Sequence, residues 1–203
     1  YSWISFGTGL LLNSIDANIS NIIIKDNSGY YGGGVIITES KVEINEISVF
    51  NNTAIIGGGI YLGEDNDTTL ISNSLISNNT VYDGYWGGGG IFVKSPLVIN
   101  NCIIKDNLSD IDGGGIYSLN TSIVIQNTLI ANNSSENGGG ICLSNNSNST
   151  LLNVTLVNNN ASLGNDILSG WGSSAILSNC ILWGSNSNSI SLLEGTEAGS
   201  IDI

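Results

Sequence analysis

Apolar and polar residues alternate along this chain in short runs, and the runs repeat. One aliphatic column reads Ile24, Val49, Ile76, Ile104, Ile130 and Val157. Three positions after each stands an asparagine: Asn27, Asn52, Asn79, Asn107, Asn133 and Asn160, at spacings of 25, 27, 28, 26 and 27 residues. A second aliphatic column, five positions before the first, reads Ile19, Ile44, Ile71, Ile99, Ile125 and Leu152, and continues at Leu177. Two positions after it runs a mostly polar column of Asn21, Glu46, Asn73, Asn101, Asn127, Val154 and Asn179. Glycine triplets at 32–34, 57–59, 88–90, 113–115 and 138–140 each precede an aliphatic residue, and a decayed copy, Gly164-Asn165-Asp166, precedes Ile167.

Each unit therefore holds three short alternating segments divided by polar or glycine-rich corners. Alternation with period two is the strand signal, and the segments are too short and too β-branched for helices. Helical solenoids use longer units of roughly 33–47 residues. Leucine-rich repeats have a similar length but gather their leucines in one segment. Here the apolar positions are spread over three. The pattern predicts an all-β, right-handed, single-stranded parallel β-helix of about seven coils with three short strands per coil. Coils stacked at roughly 4.8 Å would stand about 35 Å tall. Like side chains should touch like from coil to coil, and the asparagines should form a hydrogen-bonded ladder. Extra residues at 80–87 predict a loop inserted on one face. The whole chain, 1–203, reads as a single domain, with regular coils over 19–183 and an irregular end or cap over 184–203.

The segment Val49-Phe50-Asn51-Asn52-Thr53-Ala54-Ile55-Ile56-Gly57-Gly58-Gly59-Ile60-Tyr61 resembles the repeat of the chlamydial polymorphic outer membrane proteins. Their repeat carries F-x-x-N followed by G-G-A-I. This chain has Ile or Val in place of the Phe and Gly in place of the Ala, over about residues 19–183. The resemblance, shared with adhesin-like β-helix proteins, implies surface display, adhesion or assembly, and no catalytic residues.

Composition narrows the partners. Seventeen acidic residues face four lysines and no arginine, a formal charge of −13. Such a surface repels nucleic-acid phosphates and anionic lipid headgroups. No apolar run is long enough to span a bilayer as a helix. The chain has no Met, which reads as a mature product or a fragment of a longer chain. Cys102, Cys142 and Cys180 are too few and too widely spaced for a disulfide framework or a zinc site, and are expected as buried small hydrophobes.

The chain has no His and no Arg. The pectate-lyase-like enzymes of this architecture use an arginine base and clustered calcium-binding carboxylates. A glycoside hydrolase needs facing carboxylates. Asp26 and Asp106 share a column but lie three coils apart, about 14 Å. Glu43 and Glu46 read as solvated surface charge. No catalytic residue, no metal ligand and no cofactor is expected; the oxygen-rich loop Glu64-Asp65-Asn66-Asp67, through Asp65 and Asp67, and the pair Asp110 and Asp112 are the places where calcium could bind, against the alternative of acidic solvated turns.

Tyr61, Phe92 and Tyr117 form a column directly after the glycine-following aliphatic, so alternation points them outward. Tyr82, Tyr85 and Trp86 of the inserted loop lie in the same region. Together they are candidates for a glycan- or partner-binding face, against the alternative of stacking that only stabilises the sheet. Asn-x-Ser/Thr sequons occur at Asn18, Asn51, Asn66, Asn78, Asn107, Asn120, Asn132, Asn133, Asn145, Asn148, Asn153 and Asn160. Of these, Asn66 and Asn120 are the candidates for exposed acceptors. The favoured expectation is a non-enzymatic extracellular or cell-surface stalk, adhesin segment or filament subunit. It would associate head to tail or continue in a longer chain, and meet host or matrix glycans or proteins. The rival is a carbohydrate-binding or carbohydrate-active module.

Overall fold

The computed structural model describes residues 8–184, 188–193 and 199–203. The described residues wind through 27 strands, all paired in parallel, in four sheets of eight, eight, seven and four strands. The third coil shows the plan. Ile60–Leu62 lies in sheet I, Thr69–Ser72 in sheet II, Leu75–Ser77 in sheet III and Thr80–Val81 in sheet IV. Every strand pairs with its equivalents in neighbouring coils, as in Ile60 opposite Val35 and Ile91.

Inward side chains stack in aliphatic columns. Val35, Ile60, Ile91, Ile116, Ile141 and Ile167 fill one, and Ile44, Ile71, Ile99 and Ile125 another; all are buried. Ile24, Val49, Ile76, Ile104 and Ile130 fill a third. Full burial of each such side chain contributes on the order of 1.5–3 kcal/mol.

The corners follow from backbone chemistry. Asn21, Glu46, Asn73, Asn101, Asn127, Asn153 and Asn179 adopt φ of 49–56° between sheets II and III. Asp26, Asn51, Asn78, Asp106, Asn132 and Asn158 adopt φ of 53–58° at the exit of sheet III. One left-handed residue turns the strand direction while keeping its neighbours extended, and Asn and Asp tolerate that conformation best among non-glycine residues. The glycine triplets divide the labour. Gly57 takes φ +64°, whereas a Cβ on Gly58 or Gly59 would lie 2.6 Å from the carbonyl oxygen of Gly89 or Gly90 in the next coil. The first glycine serves the turn and the other two serve close coil stacking.

Three expectations about the coil need correction. The first is the fourth sheet. It has four short strands and continues in later coils only as isolated bridges such as Leu108 with Ser134 and Ser134 with Asn160. Runs as short as Thr80–Val81 look like turn residues in a sequence. The second is register in the sixth coil. Leu151, not Leu152, pairs with Ile125 and Leu177, and Leu156, not Val157, pairs with Ile130. Asn153, not Val154, takes the left-handed corner. The doubled Leu151-Leu152 and tripled Asn158-Asn159-Asn160 disguise a one-residue slip, which on a strand exchanges the inner and outer faces. The third is the end of the stack. Ile190–Leu192 pairs with Ile167–Ser169, and Ser200–Asp202 with Ser174–Ile176, so sheets I and II continue past residue 184.

Candidate functional site

The asparagine column is a buried ladder. The Oδ1 of Asn79 accepts from both the backbone N–H and the Nδ2 of Asn52, each at 3.0 Å. The Oδ1 of Asn107 accepts from Asn79 in the same way, and that of Asn133 from Asn107. Each Nδ2 also donates to a carbonyl oxygen one coil back, as Asn107 does to Ile76 at 3.1 Å. Asn27 opens the ladder by donating to Asn52. The last rung is Asn159, whose Oδ1 accepts from Asn133. The expected rung, Asn160, is exposed and its Nδ2 reaches only Ser134 Oγ, at 3.5 Å. The Nδ2 of Asn159 donates to the buried Asp166 Oδ1 at 2.9 Å. Asp166 stands where earlier coils have the third glycine, so this departure from the triplet closes the ladder. Sequence reasoning saw only a decayed glycine motif there. A second, exposed ladder runs along the sheet II–III corner, where Asn101 Nδ2 donates to Asn73 Oδ1 at 2.6 Å and Asn153 Nδ2 to Asn127 Oδ1 at 3.0 Å.

The aromatic column points outward from sheet I, as alternation requires, but Phe92 and Tyr117 are covered and Tyr61 is half-buried. Phe92 and Tyr117 are 2% and 4% exposed and form a second apolar cluster with Ile56, Leu119, Cys142 and Leu168. Tyr61 stacks on Phe92 with ring centroids 5.3 Å apart, and Phe92 meets Tyr117 edge-on at 5.6 Å. Trp86 of the inserted loop lies over both, at 6.4 and 6.5 Å. Burial pushes the Tyr61 phenol up to about 12 and raises that of Tyr117 as well. Phe92 and Tyr117 therefore stabilise the sheet and offer no stacking platform to a ligand; that part of the expected face is corrected. The aromatics left accessible are Tyr61, which is half-buried, and those of the insertion, with Tyr85 at 86% exposure and Tyr82 and Trp86 partly exposed.

Trp86 borders a pocket of about 230 Å³ shared with Glu64, Lys94, Leu119, Asn120 and Asn145. The Lys94 ammonium donates to Glu64 Oε1 at 2.9 Å and stands 5.6 Å over the indole ring. Glu64, Lys94, Asn120 and Asn145 come from successive coils at the exit of sheet I, so the solenoid repeat itself brings them into one line. An indole face, two amides and an ion pair suit a polyhydroxylated ring, which needs an apolar face and several hydrogen-bond partners. Among the lining residues there is no nucleophile paired with a base. Sequence reasoning placed Trp86 in the face but missed Lys94 and Glu64, whose convergence depends on the third and fourth coils being stacked.

The other candidates separate. Asn66 is buried at 8% exposure, its Nδ2 donating to Gly63 O, Ile37 O and Ser95 Oγ and its Oδ1 accepting from Ser40 N–H. It is a structural amide, and the expectation of an exposed acceptor there is corrected; Asn120 is exposed. Asp65 and Asp67 are exposed, and among the described residues no group of three or more acidic, Cys or His side chains is arranged to hold a metal ion. Asp112 accepts from Asn137 Nδ2 at 3.0 Å, and burial raises its carboxyl above the ordinary range. Asp110 Oδ2 accepts the Asp83 N–H at 3.1 Å. Both fasten loops. Cys102 and Cys142 are buried, with thiols raised by desolvation, whereas Cys180 is only half-buried because it lies in the last turn of sheet III.

A family model described as "right handed beta helix region" matches residues 8–192. Neither a search of curated proteins nor one of solved structures returned a match. The matched span takes in the first seven coils and the strand Ile190–Leu192 that opens the eighth, and leaves out only the last strand, Ser200–Asp202. On that match, and on the parallel register of every coil, the chain belongs to the right-handed β-helix family.

Proposed function

We propose that this chain is a non-enzymatic, extracellular rod: a stalk, adhesin segment or filament subunit displayed at a cell surface. The observation that carries the reading is the amide ladder from Asn27 to Asp166, which ties coil to coil without interruption along the long axis. Such a network suits a part that bears load or sets a distance. The absence of His and Arg from the chain supports a role other than acid–base catalysis. In this reading the rod joins others end to end or continues in a longer chain. The test is negative-stain electron microscopy of the purified chain, paired with turnover assays on neutral and acidic polysaccharides. Straight rods without turnover are expected. Release of reducing ends or unsaturated products, abolished by substitution of a surface carboxylate, would overturn it.

A second reading is favoured by the Trp86 pocket: the rod carries a carbohydrate contact in its side. Binding on a glycan array that disappears in Trp86→Ala while the melting transition is kept would support it. An array without signal would remove it and leave the rod.

A further inference from the structure

We infer that the outer face of sheet III is a docking surface for a second copy of this chain, packed sheet against sheet. The seven strands of this sheet run from Ile23–Lys25 to Ile181–Trp183, and in each the first and third residues face outward. Nine of these fourteen positions are apolar, two are lysine and none is acidic; Ala131 and Ser77 among them are buried, which leaves eight apolar side chains at least partly exposed. Ile23, Ile103, Ile181 and Trp183 are exposed, Trp183 at 72%. The other large faces differ. The outside of sheet I is already covered by the second apolar cluster, and that of sheet II carries Asp16, Lys41, Glu43 and Asp202.

Charge selects the occupant. The chain bears −13, but sheet III with its two bordering corner columns bears three carboxylates, Asp26, Glu46 and Asp106, against Lys25 and Lys105, a net of −1. Lys25 and Lys105 neutralise their neighbours Asp26 and Asp106 at 3.6 and 3.2 Å. Nearly all of the chain's net negative charge lies outside this face, and the uncharged strands of sheet I are already covered, so the approach of two copies is least opposed here. A basic partner would be drawn to the acidic faces instead. A copy also brings the same strand repeat of about 4.8 Å, so side-chain columns on the two sheets interdigitate in one register. Beside the apolar columns runs a groove of about 550 Å³, lined by Asn73, Leu75, Asn101, Ile103 and Leu129 among others, which receives side chains of the facing sheet.

The area sets the strength. Seven strands about 4.8 Å apart and roughly five residues of width give about 500 Å² per copy, near 1,000 Å² in total. That is at the lower limit of specific interfaces and predicts a weak, closed, two-fold dimer. A lateral dimer closes at two copies, whereas the end-to-end association of the rod reading grows without limit, so the two fail separately.

The test is analytical ultracentrifugation of the whole chain from about 10 to 500 µM at about 0.05 and 1 M NaCl, which spans weak to near-complete screening. The expected result is a monomer–dimer equilibrium that tightens in high salt, because screening removes repulsion while the apolar contact remains. Ile103→Lys with Ile181→Lys should weaken the dimer at least about tenfold while leaving the circular-dichroism melt in place. Tyr85→Lys, on the inserted loop, should leave it unchanged. A monomer at all concentrations and salts, a dimer that loosens in salt, or a dimer untouched by the double variant would each overturn the inference.

Discussion

Asn107→Ala puts the ladder to a quantitative test. The Asn107 amide makes four hydrogen bonds: its Oδ1 accepts from Asn79 N–H and Nδ2, and its Nδ2 donates to Ile76 O and Asn133 Oδ1. Some partners keep a second bond. Asn79 Nδ2 still donates to Val49 O, and Asn133 Oδ1 still accepts from the backbone of residue 107. The Asn79 backbone N–H loses its acceptor and Ile76 O loses a donor, both inside the stack. Two buried groups left short of partners cost about 1–3 kcal/mol each, so the loss is about 4 kcal/mol. For a chain of this length that lowers Tm by roughly 8–16 °C. The comparison variant is Asn160→Ala, which removes an exposed amide with one 3.5 Å contact and should change stability by less than about 0.5 kcal/mol. Asn159→Ala should behave like Asn107→Ala. The assay is urea unfolding followed by circular dichroism, with hydrogen exchange at the third and fourth coils to catch local opening, since repeat stacks need not unfold as one unit. Equal damage from Asn160→Ala and Asn159→Ala, or an Asn107→Ala variant indistinguishable from the parent, would refute the ladder reasoning.

Other outcomes follow from the same packing. Gly58→Ala brings a Cβ to 2.6 Å from Gly89 O and should cost roughly 2–4 kcal/mol in the urea titration; an unchanged midpoint would mean the coils can separate there without penalty. Thiol labelling at pH 8 should modify Cys180 first and leave Cys142 unmodified until the chain unfolds, because desolvation raises the Cys142 thiol and closes access to it; rapid labelling of Cys142, located by peptide mass spectrometry, would contradict its burial. The folded Asp112 carboxyl sits above its ordinary value of 3.8, so the unfolded chain gives up this proton first and the group's contribution to stability falls as pH rises through and above that value. Asp112→Asn removes the titration, so the Tm advantage of the parent over the variant should shrink between about pH 3.5 and 7. An advantage that grows with pH would show the carboxylate to be favoured by folding.

What the sequence determined by itself was everything that repeats locally. The columns through Ile104 and Ile125, the ladder from Asn27 to Asn133, the glycine corners and the coil length are all set by neighbours within one turn and copied turn after turn. The inserted loop at 80–87 was equally visible as an interruption. The sixth coil resisted because Leu151-Leu152 and Asn158-Asn159-Asn160 offer two phases of the same pattern, and only pairing with Ile125, Asn133 and Leu177 chooses between them. Tertiary structure alone decided what covers what. Tyr61, Phe92 and Tyr117 point outward by alternation, yet the loop carrying Trp86 folds over Phe92 and Tyr117. Asn66 looks like a loop sequon until Ser40 and Ser95 from adjacent coils close around it. Lys94 and Glu64 are 30 residues apart and meet only because two coils stack. The nearly neutral face of sheet III exists because winding sends most carboxylates to other sides of the rod. Inward or outward is fixed by the period of the strand, which a sequence shows; exposure depends on which distant segment lies on top, which it does not.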